Sequence, residues 1–214
     1  MKNRKIREIL KRKNKSPIVC LTAYSKTIAE ILDKYCDIVL VGDSLGTVLY
    51  GMKTTREVTL DMMINHAKSV KKGISKSILV IDMPYQTYRN KKEAYKNAKK
   101  VIKSTKCDAL KLEGGKKIIN VVKYLIKKNI PIMGHIGLLP QSEKGKFKFK
   151  GRSSVERKRI IEDARLLSNA GEFAIVVECV EESLAKIISK SIPVPTIGIG
   201  ASKHCDGQIL VTDD

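Results

Sequence analysis

Short apolar runs alternate with amphipathic segments along this chain. Eight runs are hydrophobic almost without interruption: 17-PIVCLTAY-24, 37-DIVLVGD-43, 78-ILVIDMP-84, 109-ALKLEG-114, 130-IPIMGHIG-137, 173-FAIVVECV-180, 195-PTIGIGAS-202 and 208-QILVTDD-214. Lacking a two-residue alternation, they predict strands buried on both faces of a parallel sheet. Between them, three- and four-residue spacing of apolar positions predicts helices over 26–36, 58–73, 91–105, 116–129, 156–171 and 181–191. The stripe is Ile28, Ile31, Leu32 and Tyr35 in the first, and Ile160, Ile161, Ala164 and Leu167 in the fifth, where Gly171 is placed to stop the helix. Repeated strand-helix units with eight strands predict an α/β fold of the (β/α)8 TIM-barrel class. An open doubly wound sheet would carry a glycine-rich turn after its first strand, and 17-PIVCLTAYSK-26 has none. The last strand reaches Asp214, so the barrel is expected to end after strand eight without its last helix, leaving apolar outer surface on strands one and eight.

At 214 residues, the chain fits one catalytic domain over 1–214 with a short basic leader, MKNRKIREILKRKNK. That leader has no apolar segment behind it, and the longest apolar stretches fall far short of the roughly 20 residues needed to cross a bilayer. Five cysteines without a C-x-x-C pair read as reduced structural thiols, and the whole as a cytoplasmic protein with no membrane partner. A net charge of +20 raises nucleic-acid binding. Against it, only 9 of 42 basic residues are Arg, aromatics make up 5% and Trp is absent, while the lysines spread along helical segments as a solvated coat.

Four apolar runs deliver an acid at or near their end: Asp43, Asp82, Glu113 and Glu178. In a barrel these ends converge on one rim. Clustered carboxylates repel unless something positive sits among them, and an oxygen-ligand Mg²⁺ site answers that need; zinc is disfavoured because no Cys/His spacing occurs. Lys111 lies two residues before Glu113, so both point to one face, where the lysine either holds a substrate anion or compensates Glu113. Taken singly, Asp43 or Asp82 fits a helix cap or turn equally well. The long connections 44–59 and 137–154 follow strand ends, as active-site lids do. His135 stands on the rim as a substrate contact or a packed histidine; His66, among Met63, Ile64 and Ala67, reads as structural. Gly198 and Gly200 are expected to let ligand or backbone approach strand seven closely.

The motifs LTAY (21–24), LVGDSLG (40–46), KLEGG (111–115), GHIGLLPQS (134–142), VVECV (176–180), IGIGAS (197–202) and CDGQILV (205–211) together resemble the ketopantoate hydroxymethyltransferase family over essentially the whole chain. The resemblance implies transfer of a hydroxymethyl group from 5,10-methylenetetrahydrofolate to 3-methyl-2-oxobutanoate, giving 2-dehydropantoate at the opening of the pantothenate pathway. It implies Asp43 and Asp82 as Mg²⁺ ligands with Glu113 as the third acid, Ser44 and Lys111 as keto-acid contacts beside Asp43 and Asp82, and Glu178 as general base. It also implies a homo-oligomer, and the positive charge suits a folate tail. The segment 143-EKGKFKFKGR-152 is shorter than its family counterpart. Two other readings are a Mg²⁺-dependent keto-acid lyase or mutase of the isocitrate lyase kind, whose K-K-C-G-H loop is missing here, and a non-catalytic basic binding protein.

Overall fold

The computed structural model describes residues 3–143 and 148–214. Every predicted apolar run contains a strand: β1 (Ile18–Thr22), β2 (Ile38–Val41), β3 (Ile78–Asp82), β4 (Ala109–Glu113), β5 (Ile132–Gly137), β6 (Ala174–Glu178), β7 (Thr196–Ile199) and β8 (Gly207–Leu210). They pair in sequence order, all parallel, and β8 closes on β1. The closed (β/α)8 barrel is thus the one the eight runs predict. β8 is shorter than predicted because the chain leaves the ladder after Leu210. Thr212 donates its N–H to Thr22 Oγ1 and its hydroxyl to Thr22 O, so a side-chain clasp replaces strand pairing.

Alternate residues of each strand point inward. Ile18, Cys20, Ile38, Leu40, Ile78, Val80, Met133, Val176, Ile197 and Ile209 fill the barrel, while the outward set, Val39, Leu79, Leu110, Ile132 and Ile175 among them, is covered by helices. The outer faces of β1 and β8 stay open, with Val19 43% and Leu210 61% exposed.

The basic leader carries more structure than expected. Residues Arg4–Lys11 form helix α1, capped by the Asn3 side chain on Lys5 N, and Ile6 and Ile9 plug the barrel interior. Their three-residue spacing was the signal, masked by the surrounding lysines and arginines. The remaining helices are α2 (Lys26–Leu32), α3 (Leu45–Val48), α4 (Leu60–Lys71), α5 (Lys91–Thr105), α6 (Ile119–Lys127), α7 (Ser154–Ala170) and α8 (Glu182–Ser191). The predicted stripe of α2 needs correction: Leu32 is buried as predicted, but Ile31 and Tyr35 are exposed, and Ala29 and Cys36 are buried in their place. The helix ends at Leu32, so residues beyond it no longer follow its period.

α7 ends in a paired-hydrogen-bond stop. Gly171 takes the left-handed conformation (φ 97°), its N–H bonds Ser168 O, and Glu172 N–H reaches Leu167 O. The position after such a glycine ordinarily carries an apolar contact, yet Glu172 is 1% exposed there and neither carboxyl oxygen has a hydrogen-bond partner among the described residues. Burial pushes its carboxyl well above the usual range. An unpartnered buried polar group costs roughly 1–3 kcal/mol, more than the methylene that truncation removes. The folded chain also keeps a proton that the unfolded chain releases above its ordinary pKa, so stability falls as pH rises. Glu172→Ala is therefore expected to raise Tm by roughly 2–6 °C, and by more at pH 8 than at pH 5 in calorimetry. A lower Tm for the variant at pH 8 would show that the acid has a stabilising partner.

Candidate active site

At the carboxyl end of the barrel lies a cavity of about 100 Å³, lined among others by Asp43, Ser44, Asp82, Lys111, Glu113, His135 and Glu178. The parallel register explains the convergence. Asp82 of β3 is level with Lys111 of β4, Glu113 of β4 with His135 of β5, and Gly137 of β5 with Glu178 of β6. Residues far apart in the chain thus become neighbours around the rim, and Asp43, Ser44, Asp82, Lys111, Glu113, His135 and Glu178 reach one space. Gly137 permits this closure beside Glu178. At φ 93°, a Cβ there would stand 2.3 Å from Glu178 O, the acceptor of Leu138 N–H.

Lys111 Nζ lies 2.7 Å from Asp82 Oδ1, an ion pair with both side chains buried. The partner is the acid on the adjacent strand, not Glu113 two residues on. Burial disfavours the ammonium, but Asp82, Glu113 and Asp43 outweigh it and hold Lys111 charged. Burial, then the neighbouring Asp82 and Glu113, push the Asp43 carboxyl well above its usual range. Burial raises Asp82 as well, with Lys111 opposing. Glu113 goes the other way: despite burial, contacts with His135, Lys111 and Gln141 hold it low. His135 sits between two acids, Nδ1 3.5 Å from Glu113 Oε1 and Nε2 3.1 Å from Glu178 Oε2. Neither ring nitrogen meets hydrogen-bond alignment, so these are ion-pair contacts. Burial and Lys111 oppose its charge, yet the two glutamates hold the imidazole up at about 9.

Asp43 and Asp82 are not helix caps. Asp82 Oδ2 accepts from Asp43 N–H at 3.1 Å, and Asp43 Oδ2 accepts from Gln141 Nε2 at 2.8 Å. Gln141 is the residue that sequence reasoning passed over. Its backbone N–H bonds Glu113 Oε2, its side-chain amide spans Asp43 and Met83 O, and its Oε1 accepts from Tyr88 OH at 2.6 Å. The motif GHIGLLPQS contained it, but nothing in that motif says which way a loop glutamine turns. Ser44 Oγ lies 2.8 Å from Tyr24 OH, which gives the LTAY tyrosine a positioning role.

The connection 44–59 is not an open loop: it holds α3 and a 3-10 turn over Thr55–Glu57 that brings Thr55 into the cavity wall. Of the second long connection, Pro140 and Gln141 reach the site, whereas 144–147, within the segment expected to be shorter than its family counterpart, lie outside the described residues. His66 is structural, its Nδ1 2.7 Å from Tyr24 O and its Nε2 2.9 Å from Tyr50 OH. Gly198 makes room for the Cys205 and Gln208 side chains, not for a ligand. Directly after Glu178, Cys179 is held at φ 47°, a strained conformation for a side-chain-bearing residue, between Cys179 N–H···O Ile199 and Lys150 N–H···O Cys179 bonds.

The donors fit a hard divalent cation. Asp43, Asp82 and Glu113 present only oxygen, and Mg²⁺ commonly takes one or two carboxylates and completes its shell with water and substrate oxygens. Among the described residues no three His, Cys, Asp or Glu side chains enclose a metal position by themselves. Gln141 holds Asp43 and Lys111 pairs with Asp82, so such a cation would draw on some of these acids without needing all of them at once.

Buried acids, a lysine and a histidine gathered at the carboxyl mouth of a closed parallel barrel define a (β/α)8-barrel enzyme. Solved structures share the architecture: 2,3-dimethylmalate lyase, of the PEP mutase/isocitrate lyase superfamily, aligns at TM-score 0.71 with 12% identity, over 96% of this chain and 76% of its own. Phosphonopyruvate hydrolase in complex with oxalate and Mg²⁺ aligns at 0.70 with 9% identity, over 91% and 71%. At such identities the likeness is one of fold. The family profile of ketopantoate hydroxymethyltransferase matches residues 3–214, and the chain belongs to that family. The 3-methyl-2-oxobutanoate hydroxymethyltransferase of Pelagibacter ubique (strain HTCC1062) is 64% identical over 212 residues, 99% of this chain and 82% of the relative. That of Phenylobacterium zucineum (strain HLK1) is 52% identical over 210 residues, 97% and 76%.

Proposed function

We propose that the cavity binds 3-methyl-2-oxobutanoate and that the chain adds to it the one-carbon unit of 5,10-methylenetetrahydrofolate, giving 2-dehydropantoate, the opening step of pantothenate biosynthesis. The observation that carries this reading is the convergence of Asp43, Asp82, Glu113, Lys111 and Glu178 on one cavity of about 100 Å³. Its volume suits a small acid and excludes a folate, which must meet the substrate at the mouth. Membership in the ketopantoate hydroxymethyltransferase family supports hydroxymethyl transfer as the reaction.

Asp43 and Asp82, with Glu113 directly or through water, would hold Mg²⁺. Bound there, the metal supplies a Lewis acid for the keto oxygen and carboxylate as charge develops on them. Lys111, paired with Asp82, places its ammonium where a substrate oxygen can share it. Ser44, set by Tyr24, adds a hydroxyl on the same wall. Glu178 takes the proton from C3, and His135 at 3.1 Å holds its carboxylate toward the cavity. The electron pair left at C3 forms the bond to the folate methylene carbon, both C–N bonds that hold that carbon to folate break, and water supplies the hydroxyl oxygen, while the proton from C3 and one from water go to the two freed nitrogens. Fixing the two carbons face to face is the protein's main contribution to that second step.

The same reading places the enzyme in the cytoplasm as a homo-oligomer, the former supported by five free thiols. No helix among the described residues is long and apolar enough to cross a membrane.

Proton NMR of 3-methyl-2-oxobutanoate in D₂O with protein and Mg²⁺, without folate, tests the first half alone. Loss of the C3 proton signal is expected, and chelation of the metal should stop it. Folded protein that leaves the signal intact under these conditions would sink the proposal.

A further inference from the structure

Two adjacent threonines in the turn over the cavity behave differently. Thr54 caps the turn, its hydroxyl accepting from Arg56 N–H at 3.3 Å. Thr55 is 7% exposed, and its Oγ1 is buried with no hydrogen-bond partner among the described residues. It lines the same cavity as Asp43, Lys111 and Glu178. A buried hydroxyl with no partner destabilises the ligand-free fold, so its presence calls for an explanation.

The neighbouring neutral groups are engaged. Ser44 Oγ meets Tyr24 OH, and the Gln141 amide is shared between Asp43 and Met83 O. The cavity is rich in carboxylate acceptors, so an anionic ligand placed there is short of donors. Thr55 offers an uncommitted O–H at that wall. We propose that Thr55 is a substrate-binding residue whose hydroxyl donates to a carboxylate oxygen of the keto acid and stays unpaired until that acid enters. The inference rests on the keto-acid reading of the cavity and names a contact that reading did not contain.

The hydroxyl's two states give opposite signs in two measurements. Thr55→Val keeps the shape and removes the donor, so the ligand-free variant is expected to melt at or above the wild-type temperature. Its affinity for 3-methyl-2-oxobutanoate with Mg²⁺, by titration calorimetry, is expected to fall about 10- to 150-fold, as for loss of a hydrogen bond to a charged group. Thr55→Ser restores the donor and should bind within about threefold of wild type. In the deuterium-exchange assay the Val variant should show the loss in KM more than in kcat. Wild-type affinity in Thr55→Val overturns the proposal, and so does a lowered melting temperature that Thr55→Ser repairs, since the hydroxyl would then serve the fold. Failure of the wild type itself to bind the acid would instead sink the keto-acid reading on which the inference stands.

Discussion

Glu178→Gln is expected to slow C3 proton exchange by roughly 10²–10⁴-fold while the dissociation constant for 3-methyl-2-oxobutanoate stays within about threefold of wild type. Glutamine keeps the size of the side chain and its reach into the cavity but cannot accept the proton. The site is built to hold that group still. Glu178 ends β6 beside Gly137, His135 Nε2 lies 3.1 Å from its Oε2, and the strained Cys179 fixes the backbone just after it. Exchange in D₂O reads the rate and titration calorimetry reads the binding. A loss of affinity equal to the loss of rate would assign Glu178 to substrate holding and remove it as the base.

Lys111→Met should be damaging in a different way, lowering both stability and affinity. Methionine fills most of the space, but Asp82 and Asp43 are then left together in a buried site without that cation, and Glu113 keeps only His135 as a positive neighbour. Removing one partner of a buried pair costs about 3–5 kcal/mol, a fall in Tm of roughly 6–20 °C for a domain of this size. Keto-acid affinity should drop about 10- to 150-fold with the lost charged hydrogen bond. Added Mg²⁺ should raise the Tm of the variant more than that of the wild type, because the same carboxylates then regain a positive neighbour. Calorimetry with and without Mg²⁺ gives both numbers. A variant as stable as wild type, with an identical response to Mg²⁺, would show that Lys111 does not balance these acids.

The barrel and the acids at its mouth were legible along the chain because both follow simple rules. Continuous apolar runs separated by helical stripes have one good parallel arrangement, and closure in sequence order leaves the inward residues at the strand ends facing each other. Asp82, Lys111, Glu113, His135 and Glu178 lie on strands in this way, so their periodicity determined where they point. Asp43, just past β2, was found by the same logic.

Other parts could only be decided in three dimensions. Helix α1 was hidden because two isoleucines among basic residues look like a solvated leader until the open end of a barrel gives them something to bury against. Lys111 pairs with Asp82 rather than Glu113 because neighbouring strands in register stand closer than their separation in sequence suggests. Gln141 and Thr55 lie in connections without a repeating period, where side-chain direction is set by packing. Gln141 reaches Asp43 across 98 positions of sequence, and Tyr24 meets Ser44 from another strand end. The sequence by itself thus determined the chemical types at the mouth of the barrel. The tertiary structure decided their partners, because each partner comes from a different strand or loop and only closure of the sheet brings them within hydrogen-bonding distance.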